Sequence, residues 1–279
     1  MSGFALALVL SAACLHAFWN ALVKAASDRA VVLAAVSSVH AFMGLALVLA
    51  TPLPAVESWV YIFVSTVIHY GYYVFLFQSY RLGDLSQVYP ISRGVAPALV
   101  ALGAFLAVGE RLPVGSLIGL AAVSFGIGLL AFQRGAANAN PKAVAAAVVT
   151  GLLIAGYSVV DGIGVRLSGN PFGYMGWLFL LELPVVLFVL WRRRGSVHHF
   201  NWRTFGVGLL GGLGAVTAYG LVIYAKTIAP LGAVSAVRES SVIIAALIGL
   251  VVFGERPWPT RLLSAGVVAG GVITLAFSA

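Results

Sequence analysis

The chain has 279 residues, 61% of them hydrophobic and only 9% charged, with a mean hydropathy of +1.05. A soluble domain carries roughly 25% charged residues and has no way to hide this much apolar surface in one core. Composition therefore excludes a soluble globular protein and leaves an integral membrane protein of many spans. The net charge of +8 does not point to nucleic acid, because the basic residues are scattered at helix ends and form no single binding face. One cysteine, Cys14, excludes an internal disulfide, a cysteine-rich metal site and a dithiol redox centre.

A helix that crosses a bilayer needs about 20 apolar residues. In chain order the apolar runs predict helices at about 3–24, 30–51, 57–80, 84–108, 112–132, 142–166, 171–191, 203–226, 231–253 and 258–278. Their length and lack of strict alternation favour helices over a β-barrel. Turn-forming residues mark the breaks, among them Pro52-Leu53-Pro54, Gly109-Glu110-Arg111, Asn138-Ala139-Asn140-Pro141 and Gly254-Glu255-Arg256-Pro257. The first run is too long for a removed signal and has no basic segment before it, so it reads as a span.

Residues i and i+4 share a helix face, and on several predicted helices that face pairs a polar group with an aromatic. The first helix clusters His16, Trp19 and Asn20. The third sets His69 with Tyr73. The fourth sets Tyr89 with Arg93 and contains Pro90 and Pro97, which predict a kink. The sixth sets Tyr157 with Asp161, and Glu182 in the seventh precedes Pro184. Tyr219 lies on the eighth helix beside Gly220. On the ninth, Ser235 lines up with Glu239 and Ser241 lies one turn beyond Arg238. Adjacent Arg238 and Glu239 point about 100° apart on a helix, so they need not pair with each other. Trp59, Trp177, Trp202 and Trp258 fall near helix ends, as an interfacial belt does.

The remaining basic residues fix orientation. Connections after odd-numbered helices hold eleven of them, including the run Arg192-Arg193-Arg194, whereas those after even-numbered helices hold three, Arg111, Arg166 and Lys226. The positive-inside bias puts the first set in the cytoplasm and both termini on the other side.

The sequence also repeats. Shifted by 145 residues, positions 93–132 and 238–277 share 12 of 40 residues without a gap. Arg93 falls on Arg238, Gly109-Glu110-Arg111 on Gly254-Glu255-Arg256, and Gly126 on Gly271. The predicted units are residues 1–135 and 141–279, five spans each. An odd number of spans turns the second copy upside down in the membrane. Inverted halves have two arrangements of similar energy, open to opposite sides, around a site near the midplane. An all-α membrane protein of ten helices, built as two inverted five-helix repeats around a central cavity, is the expected fold.

Two five-span units, each with Gly-Glu-Arg between its last two helices and a Gly-rich helix after it, resemble the drug/metabolite transporter superfamily, in particular its ten-span EamA-type branch. Among members, the chain looks most like bacterial amino-acid exporters of the aromatic type. The first helix departs from the pattern, since Ala17-Phe18-Trp19-Asn20 lacks the family's Trp-Gly pair. The resemblance implies a secondary transporter that exports small metabolites, amino acids first, across a bacterial inner membrane. Carriers of drugs, nucleosides, nucleotide sugars or lipid-linked substrates from the same superfamily are the alternative.

Charged groups deep in hydrocarbon cost several kcal/mol, which marks each as a functional candidate. The expected cavity is lined by His16, Trp19, Asn20, His69, Tyr73, Tyr89, Arg93, Tyr157, Asp161, Tyr219, Arg238 and Glu239. Arg93 and Arg238 have a rival reading, as structural partners of interior acids such as Glu239 or Glu182. Opposite charges near the centre suit the carboxylate and ammonium of an amino acid, and the aromatics suit its side chain. No metal site, cofactor or nucleotide-hydrolysing motif is expected, nor an enzymatic activity, since no nucleophile–base pair or His-Glu-x-x-His stands in the sequence. The partners expected are a small-molecule substrate and membrane lipid, with the chain acting as a monomer.

Overall fold

The computed structural model describes residues 1–25, 29–83, 85–131, 140–192, 202–251 and 258–278. Among these residues there is no strand. The helices are α1 (Gly3–Ala25), α2 (Arg29–Ala50), α3 (Trp59–Leu82) after a short 3-10 turn at Val56–Ser58, α4 (Leu85–Val108), α5 (Val114–Ala131), α6 (Pro141–Leu167), α7 (Pro171–Leu180), α8 (Leu183–Arg192), α9 (Trp202–Ile228), α10 (Leu231–Arg238), α11 (Ser241–Val251) and α12 (Trp258–Ser278). Nine helical stretches among the described residues are long and apolar enough to cross a membrane, and Ala34–Ala50 is a shorter apolar one. The duplicated Gly254-Glu255-Arg256 sequence, residues 132–139 and most of the Arg192-Arg193-Arg194 region lie outside the described residues.

Two predicted helices prove discontinuous. The seventh span is α7 and α8, separated by a turn at Leu181–Glu182. Pro184 explains it, because proline has no N–H for the carbonyl four residues back. The Tyr70 hydroxyl of α3 donates to the Leu181 carbonyl at this break. The ninth span is α10 and α11, separated at Glu239–Ser240 with no proline nearby. Conversely, α4 runs unbroken through Pro90 and Pro97, and Pro97 leaves the Arg93 carbonyl without its usual helical donor.

Large apolar side chains lie on the exterior, and a few charged ones are enclosed within the bundle. Phe277 and Leu49 are 89% and 78% exposed, whereas Asp161 and Glu239 are fully buried and Arg93 is 4% exposed. Helices whose outer faces contact lipid gain little from hydrophobic association, so small residues at their seams set the packing. The seam between α5 and α12 shows this. A Cβ on Gly119 would lie 2.7 Å from the Gly271 carbonyl oxygen, and a Cβ on Gly271 would lie 2.7 Å from that of Gly119. Gly271→Val is therefore expected to lower the thermal unfolding temperature of the purified protein by forcing the seam apart, at a cost of about 1–3 kcal/mol. Gly270→Val is the control, since its Cβ meets nothing within 4 Å.

Elsewhere α3 and α4 pack on α6, α1 and α2 pack on α9, and α7 lies against α2. The largest core cluster joins α1, α5, α9, α10, α11 and α12, through residues such as Val9, Ile127, Val222, Val234, Ile243 and Leu275. A second gathers Ile62, Tyr174, Phe179, Val216 and Ile223.

A buried charge network at the helix breaks

The network is centred on α4 and on the α10–α11 break. Arg93 of α4 donates through Nη1 to both Glu239 oxygens, at 3.1 and 3.4 Å. Glu239 stands at the end of α10, where the chain leaves helical geometry, and its Oε1 is also 3.7 Å from Nη1 of Arg238. Arg238 and Glu239, which helix geometry does not oblige to pair, thus approach each other through their side chains at this turn. Tyr89, one turn before Arg93, lies beneath its guanidinium, 5.5 Å from ring centroid to Cζ.

His16 of α1 meets two obligatory donors, Trp19 Nε1 at 3.2 Å on Nδ1 and Arg93 Nη2 at 3.0 Å on Nε2. A neutral imidazole has one bare nitrogen, so only one of these contacts is a hydrogen bond. The other ring nitrogen presents its proton to a donor, and an incoming acceptor relieves that conflict. Asn20 directs its amide to the His16 carbonyl, 2.7 Å away on its own helix.

Tyr219 of α9 connects this cluster to a second one. Its ring lies 5.9 Å from the Arg238 guanidinium, and its hydroxyl donates to Asp161 of α6. Tyr174 of α7 donates to the other Asp161 oxygen at 3.0 Å. His69 of α3 stacks on Tyr157, with centroids 4.1 Å apart, and its Nε2 is 3.4 Å from the Tyr219 hydroxyl. Tyr73, one turn along α3 from His69, has its ring centroid 5.4 Å from that of Tyr72. Thr66, His69, Tyr70 and Glu182 border a small cavity next to the α7–α8 break.

The structure thus brings His16, Trp19, Tyr89, Arg93, Tyr157, Asp161, His69, Tyr219, Arg238 and Glu239 into one connected network. Asn20 and Tyr73 stand at its margin. Sequence reading missed Tyr72, Tyr174 and, above all, Lys226. The position of Lys226 at a span end reads as part of a connection, yet the residue lies within α9 and is only 2% exposed. At the α10–α11 break, the Ser240 and Ser241 hydroxyls are buried without a hydrogen-bond partner among the described residues.

The first Gly-Glu-Arg turn has a structural task. Gly109 adopts φ +67°, the left-handed conformation that suits glycine just past a helix end. The turn brings Glu110 to Arg166 of α6, whose guanidinium nitrogens lie 3.4 Å from Oε2, while Oε1 accepts from the Gly232 N–H at 3.4 Å. Arg166 also donates to the carbonyls of Lys226 and Ala229, at 2.7 and 2.8 Å. The α4–α5 connection is thereby tied to α6 and α10, and through Arg166 to α9.

The sequence model of the EamA-like transporter family matches residues 141–277, so an EamA-like transporter domain is present there. No curated protein matches the chain. A solved protein crystal structure is similar over 99% of this chain and 98% of its own, with a TM-score of 0.77 at 18% identity. That likeness shows a shared fold. The apolar helices and the domain together make this a multi-pass membrane protein, and they indicate a membrane transporter of small solutes.

Proposed function

We propose that the chain is a secondary transporter that exports small metabolites, amino acids first (aromatic or neutral), across a bacterial inner membrane by alternating access. In this reading residues 1–135 and 141–279 are inverted halves, both termini lie outside the cytoplasm, and the chain acts as a monomer. The observation that carries it is the buried pair Arg93–Glu239 with Arg238 beside it. The internal repeat superimposes Arg93 on Arg238, so each half supplies the same cation to one shared centre.

The chemistry suits an amino acid. Arg238 is held by Glu239 only at 3.7 Å, and the Ser240 and Ser241 hydroxyls that follow it in the chain have no partner among the described residues. A substrate carboxylate binds there, against the guanidinium and the two serine hydroxyls. His16 gains an acceptor in the same step. The substrate ammonium faces Asp161, and Tyr219 spaces the two charges because its ring meets Arg238 and its hydroxyl meets Asp161. Trp19, Tyr89 and Tyr157 provide the apolar wall. Separation of the two halves at the Glu110–Arg166 contact opens one face of the centre.

Uptake into proteoliposomes tests the proposal. Labelled phenylalanine and leucine are expected to accumulate saturably, with uridine and glucose excluded, and imposing a pH gradient reveals whether protons are coupled. Saturable uridine or glucose transport without amino-acid transport would replace this substrate assignment with another metabolite class.

A further inference from the structure

We propose that Lys226 forms a second anion-binding site, between Arg238 and the Glu110 face, which receives the carboxylate of the solute on its way through the protein. The inference deepens the proposed function and rests on its carboxylate-bearing solute.

Four observations carry it. Lys226 is only 2% exposed, and its Nζ has no hydrogen-bond partner among the described residues. It also points the wrong way for an anchor. A lysine at the end of a membrane helix ordinarily extends its ammonium outward to water and headgroups. Lys226 stands two residues before the end of α9 but turns back along the helix, bringing Nζ to 5.9 Å from the Tyr219 ring centroid.

The neighbouring acids are already engaged. Asp161 accepts from the Tyr174 and Tyr219 hydroxyls, Glu239 holds Arg93 and Arg238, and Glu110 holds Arg166 and the Gly232 N–H. Lys226 therefore makes no hydrogen bond to a carboxylate among the described residues, and a buried ammonium is costly until an anion pairs with it.

Finally, the position lies on a route. The Tyr219 ring is the same 5.9 Å from the Arg238 guanidinium as from Lys226 Nζ, so an anion leaving one cation meets the other along a single aromatic side chain. The Lys226 carbonyl accepts from Arg166, the residue that ties down Glu110. A purely structural lysine would do none of this, and a methionine of similar volume would pack the same space without a charge to neutralise.

The test is thermal unfolding of the purified full-length protein, titrated with 3-phenylpropionate and, separately, with its uncharged amide. Binding to the folded state raises the melting temperature by mass action. The wild type is expected to respond to the carboxylate and not to the amide. Lys226→Met is expected to raise the half-saturating carboxylate concentration about tenfold or more, the loss of one charge-assisted contact. Its unliganded melting temperature should equal or exceed the wild-type value. Lys226→Arg keeps the charge and should stay within about threefold of wild type. The proposal is overturned if Lys226→Met titrates like wild type, if it melts well below wild type with unchanged affinity, or if the wild type does not prefer the carboxylate. Failure of wild-type amino-acid uptake, with a Lys226-dependent carboxylate response intact, would remove the amino-acid reading and leave this site standing.

Discussion

Glu239→Leu is expected to destabilise the protein by about 3–5 kcal/mol, the usual consequence of stripping one partner from a buried ion pair. Glu239 is fully buried, and its loss leaves Arg93 and Arg238 facing each other with no anion between them. Removing Arg93 together with Glu239, as a double leucine variant, should recover most of the stability, because two opposite charges leave at once. Thermal unfolding of the purified variants reads this directly. Transport should be lost in both, since the shared centre is gone even where the fold is restored. A single variant as stable as wild type would show that the pair is not formed in the membrane.

Arg238→Ala is expected to separate transport from folding. Its guanidinium lies 3.7 Å from Glu239, which Arg93 already holds at 3.1 Å, so little native structure depends on it. A charge-assisted hydrogen bond to substrate is worth about 1.5–3 kcal/mol, which at about 1.4 kcal/mol per tenfold predicts a fall of roughly 10- to 100-fold in kcat/KM for amino-acid uptake. Arg238→Lys should restore part of it, because the charge returns without the two-pronged geometry. From the repeat alone, Arg93 and Arg238 are expected to behave alike, with transport impaired more than folding. The geometry divides them. Arg93 is braced by Glu239 and His16 and carries structural weight, whereas Arg238 is the freer cation.

Much of this fold is legible in composition and periodicity. Span positions follow from hydropathy because lipid imposes a length on every crossing helix, and the starts of α7 at Pro171 and α12 at Trp258 coincide with the prediction. The break before α8 is announced by Pro184. The break at Glu239–Ser240 is not, since neither residue forbids a helix. There the carboxylate reaches Arg93, 146 residues earlier in the chain, and sequence alone cannot display such a partner.

The site divides in the same way. Arg93, Arg238, Glu239 and Asp161 stand out because a charge in an apolar run costs too much to persist without a partner or a task. Spacing along one helix pairs His69 with Tyr73, yet the stacking partner is Tyr157 on another helix. Lys226 is hidden by its position at a span end, where an anchoring lysine and an inward-turned one read identically. Tyr174 gives no signal, since its single polar atom matters only once Asp161 has been brought beside it.

The central claim is that two halves of opposite orientation enclose one polar centre, and membrane topology tests it most directly. Reporter tags at the N-terminus, at the C-terminus and within the 135–141 connection would assign each point to one side of the membrane. The account predicts both chain ends on the non-cytoplasmic side and the connection in the cytoplasm. Chain ends on opposite sides, or a connection on the same side as both ends, would contradict it.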